Sequence, residues 1–95
     1  MSGDEDILEE LVEVIASRRD ASPDDSYTAA LLASEDRVLE KVGEETTELL
    51  LAAKNDDADE IVAECADLFY HVLVLLEHHD VEFEAVAAAL RERRG

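Results

Sequence analysis

Apolar positions along the chain recur at intervals of three and four residues and almost nowhere alternate, which predicts helices and no convincing strand. Ile7, Leu8, Leu11, Val12 and Ile15 mark one face of a first helix, which Asp4 and Asp6 can open through capping and the macrodipole. From Asp20 to Ser26 the pattern lapses. The one proline and three aspartates fall there, predicting a connector, and Tyr27 to Ala33 follow as a short apolar helical piece. Ser34 is placed to cap a third helix, with Glu35 and Asp36 in its first turn and helical spacing as far as Ala53 or Lys54. Asn55 to Asp59 breaks the pattern. A fourth segment, Glu60 to about Glu77, is the most apolar, and Asp80 can cap a last helix ending in Arg91, Arg93 and Arg94.

These segments predict an all-α fold, an antiparallel helical bundle whose two long central helices are joined by a tight connection. Ninety-five residues suit one domain, 1–95, with a single core. A chain of this size buries a modest share of its surface, and Leu68 to Leu76 is apolar almost all the way round. A homodimer sharing these helices would supply the missing cover.

Charge narrows the partners. With 26 Asp+Glu against 8 Lys+Arg the formal charge is -18, which repels nucleic acid and anionic lipid alike. An apolar content of 47% with no long block of like charge is nevertheless the composition of a folding chain. Apolar runs such as Val72 to Leu76 are far too short to span a bilayer. One cysteine cannot form an internal disulfide, and no secretory leader pattern opens the chain, so a reducing, cytoplasmic setting is expected. Six of the eight basic residues are Arg, with Lys41 and Lys54 the two lysines. Acidity spread over the whole length suits a halophilic surface, since about 1 M salt shortens the Debye length to roughly 3 Å and screens the self-repulsion. An acidic surface for a basic partner is the rival explanation.

The acids of the two long helices carry the chemistry. At about 100° per residue, Val38, Val42, Leu49, Ala52 and Ala53 define an apolar arc in the third segment. Glu45 falls inside that arc, and Lys41 and Glu48 lie at its edge. In the fourth segment Ile61, Cys65, Leu68, Val72 and Leu75 define the arc, with Glu64 on its flank and Asp67 and His71 continuing a stripe beside it. Each helix therefore offers a carboxylate pair at i and i+3, Glu45 with Glu48 and Glu64 with Asp67. Four carboxylates converging beside apolar surface cannot all stay ionised without a cation. An all-oxygen set suits Mg²⁺, with Mn²⁺ as a substitute. Zinc would want Cys or His, and a di-iron bundle Glu-x-x-His, a spacing that none of the three histidines satisfies. In so acidic a chain, solvated pairs arising by chance remain the alternative.

Glu45-x-x-Glu48, fifteen intervening residues and Glu64-x-x-Asp67 resemble the metal-binding signature of the all-α nucleoside triphosphate pyrophosphohydrolases, the MazG-like superfamily. Within it, three blocks resemble the phosphoribosyl-ATP pyrophosphohydrolase family: Ser26-Tyr27-Thr28-Ala29 with Leu31-Leu32, Lys41-Val42-Gly43-Glu44-Glu45, and Ala66 to His71. Leu90-x-x-Arg93 loosely fits the family's tail. Departures are small: Thr46 and Thr47 stand where Ala is commoner, and Phe69 where Leu or Ile is usual.

The resemblance implies cleavage of phosphoribosyl-ATP to phosphoribosyl-AMP and pyrophosphate by water attack, the second step of histidine biosynthesis. It implies Glu45, Glu48, Glu64 and Asp67 as metal ligands; Glu44, one helix step off their stripe, is a water-orienting candidate or a solvated surface acid. Lys41, one turn before Glu45, offers a point charge to phosphate oxygens or an ion pair to Glu45 or Glu44. Arg37 and Lys54 are further phosphate candidates, Lys54 also completing a helix C-terminus. His71 hydrogen-bonds a ligand carboxylate or the substrate, or is a satisfied core histidine. Tyr27 reads chiefly as packing, Cys65 as inert core, and His78 and His79 as helix-end residues. Two rivals stand beside this reading: a house-cleaning hydrolase of other nucleoside triphosphates, and a non-enzymatic acidic helical dimer that binds a basic partner.

Overall fold

A computed structural model describes residues 7–94. Among them lie five helices and no strand: α1 (Ile7–Ser17), α2 (Tyr27–Leu32), α3 (Glu35–Lys54), α4 (Ala58–His78) and α5 (Phe83–Arg93). The residues expected to open α1, Asp4 and Asp6, fall outside the described residues. No helix is long and apolar enough to cross a membrane among the residues described.

Side-chain caps set three of the helix starts. Ser26 accepts from the Ala29 amide at 3.1 Å, Ser34 from Arg37 at 3.4 Å and Asp57 from Glu60 at 3.2 Å, each satisfying an amide that has no partner inside its helix. The cap on Asp57 starts α4 at Ala58, two residues earlier than the spacing predicts. Both long helices end in the same way. After α3, Asp56 takes a left-handed φ of 54° while its amide and that of Asp57 reach back to the carbonyls of Ala53 and Ala52. After α4, Asp80 (φ 56°) and Val81 reach back to Glu77 and Leu76. This double hookup usually has glycine at the left-handed position. Asp80 therefore closes α4 instead of opening α5, contrary to the expectation from sequence. The residue before α5 is Glu82, which makes no side-chain cap.

The three residues between α3 and α4 fold them into an antiparallel pair, and His79 at the end of α4 meets Glu35 at the start of α3. α1 and α2 lie across one half of this hairpin. Arg19, just beyond α1, clamps the end of α4: it donates to the Glu77 carboxylate, to the Glu77 carbonyl at 2.5 Å and to Asp80 at 2.6 Å. The core beneath consists of Ile15, Leu31, Val38, Leu73 and Val74. On α4 this differs from the predicted arc. Ile61, Cys65, Leu68, Val72 and Leu75 are only half-buried, whereas His71 and Val74 lie innermost, because α1 and α2 cover the side of α4 that carries them. α3 follows expectation at Val38, Glu45 and Ala52, although Ala53 is exposed. α5 buries no residue fully.

Candidate metal centre

Helical geometry brings acids from α3 and α4 together where the hairpin emerges from under α1 and α2. Glu45 is buried at 7% exposure, Glu64 is half-buried and Glu48 is open to solvent, and oxygens from all three lie within 4.8 Å of one another. Burial holds the Glu64 carboxyl above the usual carboxylate range, and the negative charges of Glu48 and then Glu45 push the same way. Its Oε1 is shut off from solvent and has no hydrogen-bond partner. A buried oxygen that lacks a donor and faces two further carboxylates needs a proton or a cation, and three oxygen donors suit a hard dication. The residues present therefore fit Mg²⁺ or Mn²⁺. A groove of about 390 Å³ lined by Glu48, Leu51, Ala52, Asn55, Asp57, Glu60 and Glu64 opens beside them. A larger one, about 510 Å³, lies between α1, α4 and the start of α5 and contains none of the three.

Asp67 is exposed, one turn beyond Glu64, and its carboxylate is not in the 4.8 Å group; its backbone carbonyl instead accepts from His71 Nδ1 at 2.8 Å. His71 is 5% exposed and lies deepest among the proposed residues, with Nδ1 3.4 Å from Glu45 Oε1. The Tyr27 hydroxyl lies 3.0 Å from its Nε2, so both ring nitrogens are engaged within the chain. Tyr70 packs edge-on to His71 at 4.9 Å and shares a 2.5 Å hydroxyl contact with Thr28.

Positive charge gathers on the side of α3 that precedes Glu45. Lys41 is half-buried with Nζ 3.4 Å from Glu44, so of the pairings open to it the structure shows the one with Glu44. That contact, followed by the influence of Tyr27 and of Glu45, holds its ammonium above the ordinary value. Arg37 places its guanidinium 5.6 Å from the Tyr27 ring centre, a cation–π distance. Glu44 and Lys54 are exposed, Lys54 in the last turn of α3 at the far end from Arg37. Cys65 is a half-buried free thiol. Sequence reasoning gave Tyr27 a packing part and missed its hydroxyl. Tyr27 and His71 are 44 residues apart, so no local spacing could reveal the contact.

Comparison with known proteins bears on the same residues. The phosphoribosyl-ATP pyrophosphohydrolase family matches the chain over residues 8–94, which takes in the whole carboxylate cluster. The chain is 50% identical over 93 residues to the phosphoribosyl-ATP pyrophosphatase of Halobacterium salinarum, covering 94% of this chain and 98% of that protein. It is 49% identical over 92 residues to the enzyme of the same name from Haloarcula marismortui, covering 94% of both. The histidine biosynthesis bifunctional protein HisIE of Synechocystis is 50% identical over 90 residues, which span 94% of this chain and 42% of that longer one.

Proposed function

We propose, from the premise that the chain belongs to the phosphoribosyl-ATP pyrophosphohydrolase family, that it hydrolyses phosphoribosyl-ATP to phosphoribosyl-AMP and pyrophosphate in histidine biosynthesis. The observation that carries this is the trio Glu45, Glu48 and Glu64, with one buried oxygen lacking any donor, inside the segment the family matches. These three would hold Mg²⁺, for which Mn²⁺ could substitute, and Asp67 at i+3 from Glu64 would complete the set. The ion supplies charge screening for the polyphosphate and a lowered pKa for the attacking water.

The protein's own part is to bind and orient. Lys41 and Arg37 stand on the turns before Glu45 and offer cationic contacts to phosphate oxygens; Lys54 offers a weaker one from the end of α3. Glu44 keeps the Lys41 ammonium at the rim and is our candidate for orienting the water. Glu45 is buried beside His71, while Glu48 and Glu64 line the open groove. The water oxygen bonds to phosphorus as the bridge between the α and β phosphates breaks, and pyrophosphate leaves.

Around this chemistry we place one domain, 1–95, working in the cytoplasm. We also propose a homodimer, because Leu39, Leu50, Leu51, Val62 and Phe69 on α3 and α4 are about half exposed or more. We attribute the charge of -18 to a salt-adapted surface, so the unfolding midpoint should rise with added KCl; a midpoint that falls removes this part. The main test is pyrophosphate release from phosphoribosyl-ATP with and without Mg²⁺, run beside deoxynucleoside triphosphates. Metal-dependent turnover that favours phosphoribosyl-ATP supports the assignment. A clear preference for the deoxynucleotides would replace it with a house-cleaning role.

A further inference from the structure

The residue that reaches Glu45 from within the chain is His71, and its orientation is determined by what surrounds it. Nδ1 faces the Asp67 carbonyl at 2.8 Å, which can only accept, so that nitrogen carries a hydrogen. With that hydrogen directed at Asp67, Nδ1 also lies 3.4 Å from Glu45 Oε1, so the ring edge packs against the carboxylate. Neutral imidazole then has a lone pair on Nε2, and the Tyr27 hydroxyl, 3.0 Å away, donates to it. The ring has no freedom to turn. Tyr70 meets it edge-on at 4.9 Å and Tyr27 at 6.0 Å, and only 5% of the residue is exposed. Tyr27 belongs to α2, so the chain of contacts runs from the short covering helix, through α4, to a carboxylate of α3.

We infer that Tyr27 and His71 are positioning residues that hold Glu45 in the orientation needed to receive the metal, with the Asp67 carbonyl and the Tyr27 hydroxyl together locking the ring whose Nδ1 edge lies against Glu45. A buried carboxylate left to itself would sample several rotamers, and each unproductive one lowers the affinity for the ion. Supporting partners of this kind typically change metal affinity or activity by roughly 10- to 100-fold. Both ring nitrogens of the histidine are engaged within the chain, so it supports Glu45 without competing for the ion.

This inference rests on the proposed metal centre, and its test separates the two. Mn²⁺ binding to the full chain without substrate is followed by electron paramagnetic resonance, in wild type and in Glu48→Gln, Tyr27→Phe, His71→Leu, His71→Asn and Tyr70→Phe. Tyr27→Phe removes one oxygen and keeps the ring under Arg37; it should weaken Mn²⁺ roughly 3- to 10-fold, and His71→Leu roughly 10- to 100-fold. His71→Asn keeps an N–H where Nδ1 stood and should recover part of the loss. Tyr70→Phe loses only the Thr28 contact and should stay within about twofold of wild type, which a general loosening of the aromatic cluster would not give. At saturating metal, kcat of Tyr27→Phe should fall while KM for phosphoribosyl-ATP holds. If wild type binds Mn²⁺, Glu48→Gln does not, and both Tyr27→Phe and His71→Asn bind as wild type, the positioning role is wrong and the metal centre stands. If Glu48→Gln and wild type behave alike, the metal centre itself is wrong.

Discussion

The two halves of the α3–α4 hairpin obey different rules. In the half near Ser34 and His79, α1 and α2 close over the pair, and Val38 and Val74 lose all contact with water. In the half near the turn at residues 55–57, Leu50 is 62% exposed, Leu51 58% and Val62 69%, and of the clustered carboxylates Glu48 stands in the open while Glu64 is half-buried. Glu45 and His71 occupy the seam. The covered half supplies a dry, packed core at whose edge Glu45 lies buried beside His71, and the uncovered half leaves room for an ion, water and a polyphosphate, along with apolar surface that one chain does not cover. Rigidity and access, which a single buried core could not offer together, are thus divided along the length of one hairpin.

The widest separation between the halves should appear in stability. Leu31 is fully enclosed, so Leu31→Ala should cost about 2–5 kcal/mol at any protein concentration, read by chemical denaturation. Val62→Ser should cost a folded single copy less than about 1 kcal/mol, yet shift sedimentation toward single copies if this surface pairs. Equal losses for the two, independent of concentration, would erase the distinction between covered and uncovered surface.

Next in size is the loss of function at the cluster. Glu48→Gln and Glu64→Gln should each reduce Mg²⁺-dependent pyrophosphate release by roughly 100-fold or more, because the ion's contribution to phosphoryl chemistry amounts to several kcal/mol. Far-UV circular dichroism should not change, and the metal-free protein should be no less stable, since each change relieves repulsion among three crowded carboxylates. A variant that keeps activity would show that the acids are merely crowded surface charge.

Much of this layout was legible in the sequence, and the exceptions share a cause. Helix limits follow from local signals such as Ser34 as a cap, and the inward turn of Glu45 follows from its place seven residues after Val38. The innermost face of α4 was not legible, because Leu68, Val72 and Leu75 are as apolar as Leu73 and Val74 and only the docking of α1 and α2 selects between them. Asp80 misled because an aspartate between two helices suits the end of one as well as the start of the next. The Tyr27–His71 contact, like the clamp from Arg19, joins residues distant in sequence, which periodicity cannot register.

A subtler contrast between the halves is electrical. The Glu64 carboxyl is held above its ordinary value by burial and by Glu48, so the folded metal-free protein binds a proton there that the unfolded chain has already released. That contribution to stability is complete below the ordinary glutamate range and is lost as pH rises through the elevated value, so metal-free protein should become less stable over this window. Saturating Mg²⁺ should remove the decline, since the ion takes the place of the proton. Thermal melts at several pH values, with EDTA and with Mg²⁺, check this. A decline of equal size in Glu64→Gln would assign it to other groups.

The smallest expected effect compares the two ends of the hairpin directly. Asp56 and Asp80 adopt the same left-handed conformation in the same helix-closing motif, so both carry a strain that glycine would not. They differ in what the carboxylate does. Asp80 is held by Arg19 at 2.6 Å, whereas Asp56 has no such ion pair among the described residues and adds negative charge to the uncovered half. Asp56→Gly should therefore stabilise by about 0.5–1 kcal/mol, the relief of strain exceeding the added freedom of the unfolded chain. Asp80→Gly gains the same relief but loses an exposed ion pair worth about 0–1 kcal/mol, and should come out near zero. Denaturation midpoints of the two variants at equal salt measure the difference. Equal gains would mean that the Arg19 clamp on α4 rests on Glu77 alone, and a loss at Asp56 would mean that its carboxylate, like that of Asp80, has a partner in solution.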